Sequence, residues 1–196
     1  MIMVPSTATI PLHWPKEIKY IRNCCFHSSV SQNVGKFIAT GAGTGGTVTK
    51  NTNNKNLQKG AQNVVIIRRI SSDGHPAKGQ HGLFASRKIP PKTRILDYIG
   101  ELHCDDRPNS DYDLSLHRFQ TGESVGIDAS TMGNEARFIN DYRGIQTKPN
   151  AVFMDYRTPG GELRMGIWSG NEEIKKGSEI LVRSEFTQVL HGFCGG

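Results

Sequence analysis

Residues 132–140 read Met132-Gly133-Asn134-Glu135-Ala136-Arg137-Phe138-Ile139-Asn140, and Asn150 follows ten residues further on at the head of an apolar-rich strand. The Arg-Phe-Ile-Asn run is too polar to be only core and too apolar to be only loop. By residue type alone it is a short strand ending in a polar turn, with Arg137 and Asn140 as its hydrogen-bonding groups. A second chemical feature is the run Asp105-Asp106-Arg107-Pro108-Asn109-Ser110-Asp111-Tyr112-Asp113, with four acids to one base. It is either a solvated surface loop or an attractor for a Lys/Arg-rich segment. Two other chemistries are set aside. Gly41-x-Gly43-x-Gly45-Gly46 looks like a phosphate-binding loop but has no strand before it, no Gly-Lys-Ser/Thr ending and no helical pattern after it, so it reads as linker. Cys24, Cys25, Cys104 and Cys194 show no spacing that could chelate zinc, and no metal site is expected.

These groups need a frame to hold them. The chain has 196 residues, enough for one domain with a real core plus an extension. Its formal charge of +6 is unevenly placed: residues 1–72 hold nine Lys/Arg against the single acid Glu17, while residues 73–196 sum to −2. Basic character therefore belongs to the N-terminal part, and direct nucleic-acid binding by the folded domain is not expected. No apolar run approaches the ~20 residues of a membrane span, so no membrane association is expected. Residues 1–30 lack the continuous apolar stretch of a secretory signal; they are acid-poor, as transit peptides are, but Arg22 is their only arginine. The cysteines make a poor disulfide framework for a secreted protein. The expected location is intracellular, in nucleus or cytoplasm ahead of the mitochondrion.

Residues 28–63 are a Gly/Thr/Asn/Ser tract with few large apolar residues, a composition that cannot offset the entropy of ordering it. Residues 1–62 are accordingly expected to be a low-complexity, disordered extension, 63–183 the folded domain and 184–196 a divergent tail. Within the extension, Trp14, Ile18, Tyr20 and Ile21 form either a short element packed on the domain or a short recognition segment. From Asn63 the texture changes to short apolar runs bounded by turn residues, predicting strands at Val64–Ile70, Leu83–Ser86, Arg94–Glu101, Ser124–Asp128, Ala151–Thr158, Glu162–Ser169 and Glu179–Val182. Thr158-Pro159-Gly160-Gly161 joins two of these as a hairpin. Helical turns are expected only near Asp111–Arg118 and Asn134–Phe138. The segments Lys88–Leu96 and Glu173–Leu181 echo one another, each with an Ile, a polar turn and an Ile-Leu strand start, and read as two similar strand–turn–strand corners. The fold class is mainly β, with several small sheets and little helix.

Between about Val64 and Val182 these motifs fall in an order that resembles the SET-domain protein lysine methyltransferases, as a single SET domain of fungal type without flanking zinc clusters. Gly79-Gln80-His81-Gly82-Leu83-Phe84-Ala85 is similar to the family's opening Gly-x-Gly motif, Ile95–Leu102 to its strand ending in Tyr-x-Gly-Glu, and Gly126-Ile127-Asp128-Ala129-Ser130 with Gly133–Asn140 to its central signature. The resemblance implies a SET-type β fold with a pseudoknot and S-adenosylmethionine as cofactor. It places Gln80, His81, Gly82, Tyr112, Arg137, Phe138 and Asn140 at the cofactor, Asp111, Tyr142 and Phe153 at the substrate, and Tyr98 and Tyr112 among the catalytic groups. Tyr98, Tyr112, Phe138, Tyr142 and Phe153 are candidate walls of an apolar lysine channel or else ordinary core. The implied partner is a basic protein such as a histone tail, met by a monomer.

Three departures bear on function. Gln80 stands where a glycine is expected, and Asp141-Tyr142-Arg143 stands where most of the family carries His-Ser-Cys. The closing motif, Glu179-Ile180-Leu181-Val182-Arg183, is followed by Ser184 instead of the family's catalytic tyrosine, and a serine hydroxyl is too short to take that place. The expectation is a SET-type methyltransferase, either active or impaired by the loss of that tyrosine at Ser184. The alternatives are a non-catalytic SET module that binds a basic peptide and a β domain without cofactor.

Overall fold

The computed structural model describes residues 10–41 and 64–183. In chain order the elements are β1 (Lys19–Tyr20), β2 (Cys25–Phe26), α1 (Gln32–Thr40), β3 (Val65–Arg69), β4 (His81–Ala85), β5 (Arg94–Asp97), β6 (Glu101–His103), β7 (Asp113–Arg118), β8 (Ser124–Asp128) and β9 (Met132–Gly133). A 3-10 helix (Glu135–Phe138), β10 (Asn140–Asp141), β11 (Ala151–Arg157), β12 (Leu163–Ser169) and β13 (Leu181–Val182) complete them. The architecture is mainly β. The strands form a four-stranded sheet in the order β2-β6-β8-β7, a three-stranded sheet β11-β12-β5, and the pairs β3-β4, β1-β9 and β10-β13. Among the described residues no helix is long and apolar enough to cross a membrane.

Strand chemistry accounts for most of this. The β11–β12 hairpin turns where expected, with Gly161 N–H donating to the Thr158 carbonyl at 2.8 Å and Thr158 N–H to Glu162 at 2.8 Å. β12 lies between β11 and β5 with both faces covered, so its apolar residues run almost unbroken and Ile167 is wholly buried. The single strand expected over Arg94–Glu101 is instead two, β5 and β6. At Gly100 an added Cβ would lie 2.4 Å from the Asp128 carbonyl oxygen, and the chain turns there to pass from one sheet to the next. The helical turn expected near Asp111–Arg118 is also corrected. Asp113–Arg118 is β7, paired antiparallel with β8, because Leu114 and Leu116 alternate with Ser115 and His117 at the strand period.

Part of the expected disordered extension is structured. α1 falls inside the tract expected to be linker; Ser31 Oγ caps it by accepting from Val34 N–H at 3.3 Å, and Gly41 closes it with N–H to the Phe37 carbonyl at 2.8 Å. Val34, Phe37 and Ile38, at i, i+3 and i+4, are its buried residues. Phe37 stacks with His117 and Phe119 and lies under the Arg157 guanidinium, 4.6 Å from the ring centre. Three apolar side chains on one stripe suffice when β7 and the β11–β12 hairpin supply the other half of the contact. Trp14, Ile18, Tyr20 and Ile21 prove to be a packed element, with β1 running parallel to β9. The remainder of the expected linker and the tail from Ser184 lie outside the described residues.

The two echoing segments face each other. Ile89 and Ile174 exchange backbone hydrogen bonds at 2.9 Å, and Lys88 pairs with Glu173 at 2.6 Å. At the centre, Asn140 and Asp141 lie parallel to Leu181 and Val182. Asn150 stitches the crossing: its amide donates to the Glu179 carbonyl and its Oδ1 accepts from Leu181 N–H, both at 2.8 Å. This parallel crossing of two distant segments is what the expected knot requires.

Candidate functional site

Four elements converge on one cavity of about 540 Å³. The turn before β4 supplies Gln80, with His81 at the strand's start; the loop into β7 supplies Asp111 and Tyr112; the 3-10 helix and β10 supply Arg137 to Asp141; β11 supplies Phe153. Tyr98, just past β5, and Val182 of β13 complete this side. The Arg-Phe-Ile-Asn run and the backbone around His81, expected to meet, do meet: the rings of His81 and Phe138 stand 5.9 Å apart.

Local chemistry fixes each side chain. Asn134 Oδ1 accepts from Ile99 and Ala136 N–H, each at 3.3 Å, and its amide donates to the Asp97 carbonyl at 2.9 Å, so one side chain starts the 3-10 helix and ties it to the β5–β6 corner. Arg137 follows, buried, with Nε donating to the Ala129 carbonyl at 3.0 Å. Its guanidinium lies 4.2 Å from the Tyr112 ring centre and 5.2 Å from that of Phe138, an arrangement that suits a desolvated cation. Tyr98 is buried and donates its hydroxyl to the Tyr112 carbonyl at 2.7 Å. Burial pushes the phenol pKa well above its ordinary value, with Arg137 pulling the other way, so Tyr98 is a hydrogen-bond donor at neutral pH and not a base. Phe153 meets Tyr98 edge to face at 5.8 Å. The His81 pKa is lowered by burial and then by His13 and Arg69, which favours an uncharged ring on the cavity wall.

Asn140 is held from behind. Its amide donates to Glu179 Oε1 at 2.8 Å, and Glu179 Oε2 meets His75 Nε2 at 2.9 Å, with both partners of the latter pair almost fully buried. His75 Nδ1 accepts from Ala77 N–H at 3.0 Å, which leaves Nε2 to carry the proton toward Glu179. Neither His75 nor Glu179 was singled out for the site in the sequence, since they lie 104 residues apart and no local pattern links them.

The acidic run 105–113 is mostly knitted into the domain. Asp105 accepts from Ser29 at 3.0 Å, Arg107 pairs with Glu101 at 2.8 Å and Asp128 at 3.0 Å, and Asp113 meets His103 at 2.7 Å. Asp111 and Glu17 line the cavity, and among the described residues neither has an ion-pair partner. Asp113 and Asp141 also line it, but they are paired with His103 at 2.7 Å and Arg143 at 2.7 Å, and Arg137 adds a positive charge to the same wall, so Glu17 and Asp111 are the carboxylates left for a cationic group.

Of the residues expected at the site, Gln80, His81, Tyr98, Asp111, Tyr112, Arg137, Phe138, Asn140 and Phe153 all line the cavity. Gly82 lies just behind the lining, where an added Cβ would be 3.2 Å from Asn140 Nδ2. Tyr142 does not line the cavity either, and its hydroxyl accepts from Arg183 Nη2 at 3.5 Å. Ser184 lies outside the described residues, two positions beyond Val182. Pro15, Glu17 and Ile18 also line the cavity and were missed; their signal was the Trp14–Ile21 apolar cluster, which the sequence left open between two roles.

A mainly β fold of small sheets around a knotted Arg-Phe-Ile-Asn segment defines the SET class of domains. The SET domain family model matches residues 80–183, more than half of the chain, and the protein belongs to that family. Histone-lysine N-methyltransferase Set2 of Drosophila melanogaster is 35% identical over 111 residues, which is 50% of this chain but 4% of the Set2 chain. Among solved structures, ATXR5 in complex with a mono-methylated histone H3.1 aligns at a TM-score of 0.62 with 14% identity, covering 85% of this chain and 80% of the other. A second, the ATXR5 SET domain with a di-methylated histone H3, gives 0.51 with 20% identity, covering 61% and 56%. At these identities both structures speak to the fold alone.

Proposed function

We propose that the protein is a SET-type protein lysine N-methyltransferase that takes S-adenosylmethionine and a basic peptide such as a histone tail into the 540 Å³ cavity. The observation that carries this reading is the convergence there of Gln80–His81 with Arg137–Asn140, the two segments of a SET domain that hold the cofactor by resemblance. The residues present fit that group. The volume is in the usual range for a cofactor site; His81, Tyr112 and Phe138 offer aromatic faces, Asn140 an amide fixed by Glu179, and Glu17 and Asp111 carboxylates for a cationic ligand. When bound, S-adenosylmethionine supplies an electrophilic methyl group on a sulfonium.

The chain's own residues then have separable tasks. Gln80, His81, Tyr112, Arg137, Phe138 and Asn140 bind the cofactor, and Gly82 gives Asn140 and Glu179 room beside the backbone. Phe153 and the ring of Tyr98 wall the substrate side and strip water from the incoming amine, which favours its uncharged, nucleophilic form. Asp111 draws the basic peptide to the mouth. Tyr98, tied to the Tyr112 carbonyl, aligns that wall and takes no proton. By resemblance the family's catalytic tyrosine falls at position 184, where this chain has serine, and its loss is expected to lower the rate by about 10²–10⁴, the scale of one positioned acid–base group.

Ser184 also favours a second reading, a SET module that binds a histone-like peptide without turning over. Isothermal titration with S-adenosylmethionine and a tritiated-methyl assay on histones decide between them. The enzyme reading expects cofactor binding, weak methylation and a gain in Ser184→Tyr; cofactor binding with zero signal in both proteins would leave the binding module. A nuclear site of action follows from a histone substrate. The SET core is proposed to run from about residue 63 to 183 with the tail after it, and residues 10–41 are counted with the core as one folded unit.

A further inference from the structure

The cavity has a wall that lies outside the matched residues 80–183. Pro15, Glu17 and Ile18 form it, and they belong to an arm that is tied down at several points. Lys19 N–H donates to the Thr131 carbonyl at 3.0 Å and Ile21 N–H to that of Gly133 at 2.9 Å, which sets β1 beside β9. The Tyr20 hydroxyl reaches Glu135 at 3.2 Å. Trp14 folds back on its own arm, its Nε1–H donating to the Ile18 carbonyl at 2.6 Å, and packs edge-on to Tyr20 at 5.0 Å and Phe138 at 5.7 Å. His13 stands 6.1 Å from His81. These bonds and ring contacts go to the surroundings of His81 and the 3-10 helix, and none of them goes to Tyr98 or Phe153.

We infer that residues 11–21 are a built-in wall for the cofactor half of the pocket, clamped by Trp14 and presenting Ile18 and Pro15 to the bound nucleoside. This inference rests on the cofactor reading of the cavity. The physical case is that a cleft holds a nucleoside-sized ligand only by covering most of its surface, and here the added cover comes from the arm. The arm is held in place by the β1–β9 pair, the Tyr20–Glu135 bond and the contacts of Trp14 with Phe138 and of His13 with His81. Trp14 is therefore a positioning residue that acts through Phe138 and Ile18, while Ile18 touches the ligand.

The test uses the full chain with S-adenosylmethionine and, separately, S-adenosylhomocysteine as probes, by isothermal titration alongside thermal melts. Trp14→Ala and Ile18→Ala are expected to weaken both probes about ten-fold, the scale of one lost apolar contact area, while Trp14→Phe restores binding to within about three-fold. The chain's two tryptophans are Trp14 and Trp168, so a Trp168→Phe protein reports on Trp14 alone, and its emission should shift on adding either probe. Unchanged affinity in both alanine variants, or no emission shift in a Trp168→Phe protein that binds the probe, overturns the wall and leaves the methyltransferase reading standing. If the intact chain takes up neither probe, the cofactor reading falls first and this inference with it. Should Trp14→Ala unfold, the Ile18→Ala titration and the Trp14 emission still decide.

Discussion

Glu179→Gln probes the relay behind Asn140. The Glu179 carboxylate is buried and accepts from two donors, His75 Nε2 at 2.9 Å and Asn140 Nδ2 at 2.8 Å, one on each oxygen. A glutamine keeps one acceptor but turns an amide N–H toward the other donor. One hydrogen bond to a charged group is lost and two donors are left facing in a buried site, a cost of about 2–4 kcal/mol. For a domain of this size that is a fall in Tm of roughly 10 °C. The loss extends to the pocket, because the Asn140 amide is no longer held in one orientation; S-adenosylmethionine affinity is expected to drop about ten-fold, the worth of one well-placed hydrogen bond. His75→Ala separates the two effects. It removes a donor but leaves the Asn140–Glu179 bond, so it should cost stability with a smaller loss of affinity. The measurements are thermal melts by circular dichroism and isothermal titration of the cofactor. A Glu179→Gln protein that melts with the wild type would refute the buried relay, and one that melts early yet binds the cofactor equally well would show that Glu179 does not set Asn140.

Other substitutions follow from the same geometry. Gly82→Ala would place its Cβ 2.6 Å from Glu179 Oε1 and 3.0 Å from Phe84, so overpacking should destabilise the domain by about 1–3 kcal/mol, read from denaturant midpoints. Tyr98→Phe leaves the Tyr112 carbonyl without its 2.7 Å donor; about 1–2 kcal/mol of stability should go, and any methyl transfer should slow without a change in its pH dependence, since the phenol does not titrate near neutrality. His103 has acceptors on both ring nitrogens, Asp113 Oδ1 at 2.7 Å and the Asp105 carbonyl at 2.8 Å, which calls for the imidazolium. Burial pulls its pKa down, but the Asp113 bond and charge outweigh that, and the folded value lies above the ordinary 6.5. Its contribution is thus complete below about pH 6.5 and is lost as pH rises through the folded value. The Tm advantage of the wild type over His103→Gln should therefore shrink with rising pH, and an advantage that grows would contradict the assignment.

Much of the site could be read from residues near one another in the chain. Strands such as Ser124–Asp128 and the hairpin around Pro159 announce themselves through alternation and turn chemistry, and the Asn134–Phe138 turn through its capping Asn. Elements of two residues such as β1 and β2 carry no period at all, and α1 has too few apolar residues among its nine to stand out from the polar tract around it. β7 reads as a helical turn in the sequence because a short run of Leu and polar residues fits either period until a partner strand is present. By itself, then, the sequence determined the small-sheet β class and, through the order of its motifs, the expectation that Arg137–Asn140 and Gln80–His81 share one cavity, which they line together. Tertiary structure alone decided that Asn140 lies parallel to Leu181, that Glu179 joins His75 to Asn140, that Tyr142 stands outside the cavity and that the arm at Trp14–Ile18 closes one side of it. The physical reason is that each of these contacts joins segments tens of residues apart, whose register is set by the packing of the whole core and not by any local preference.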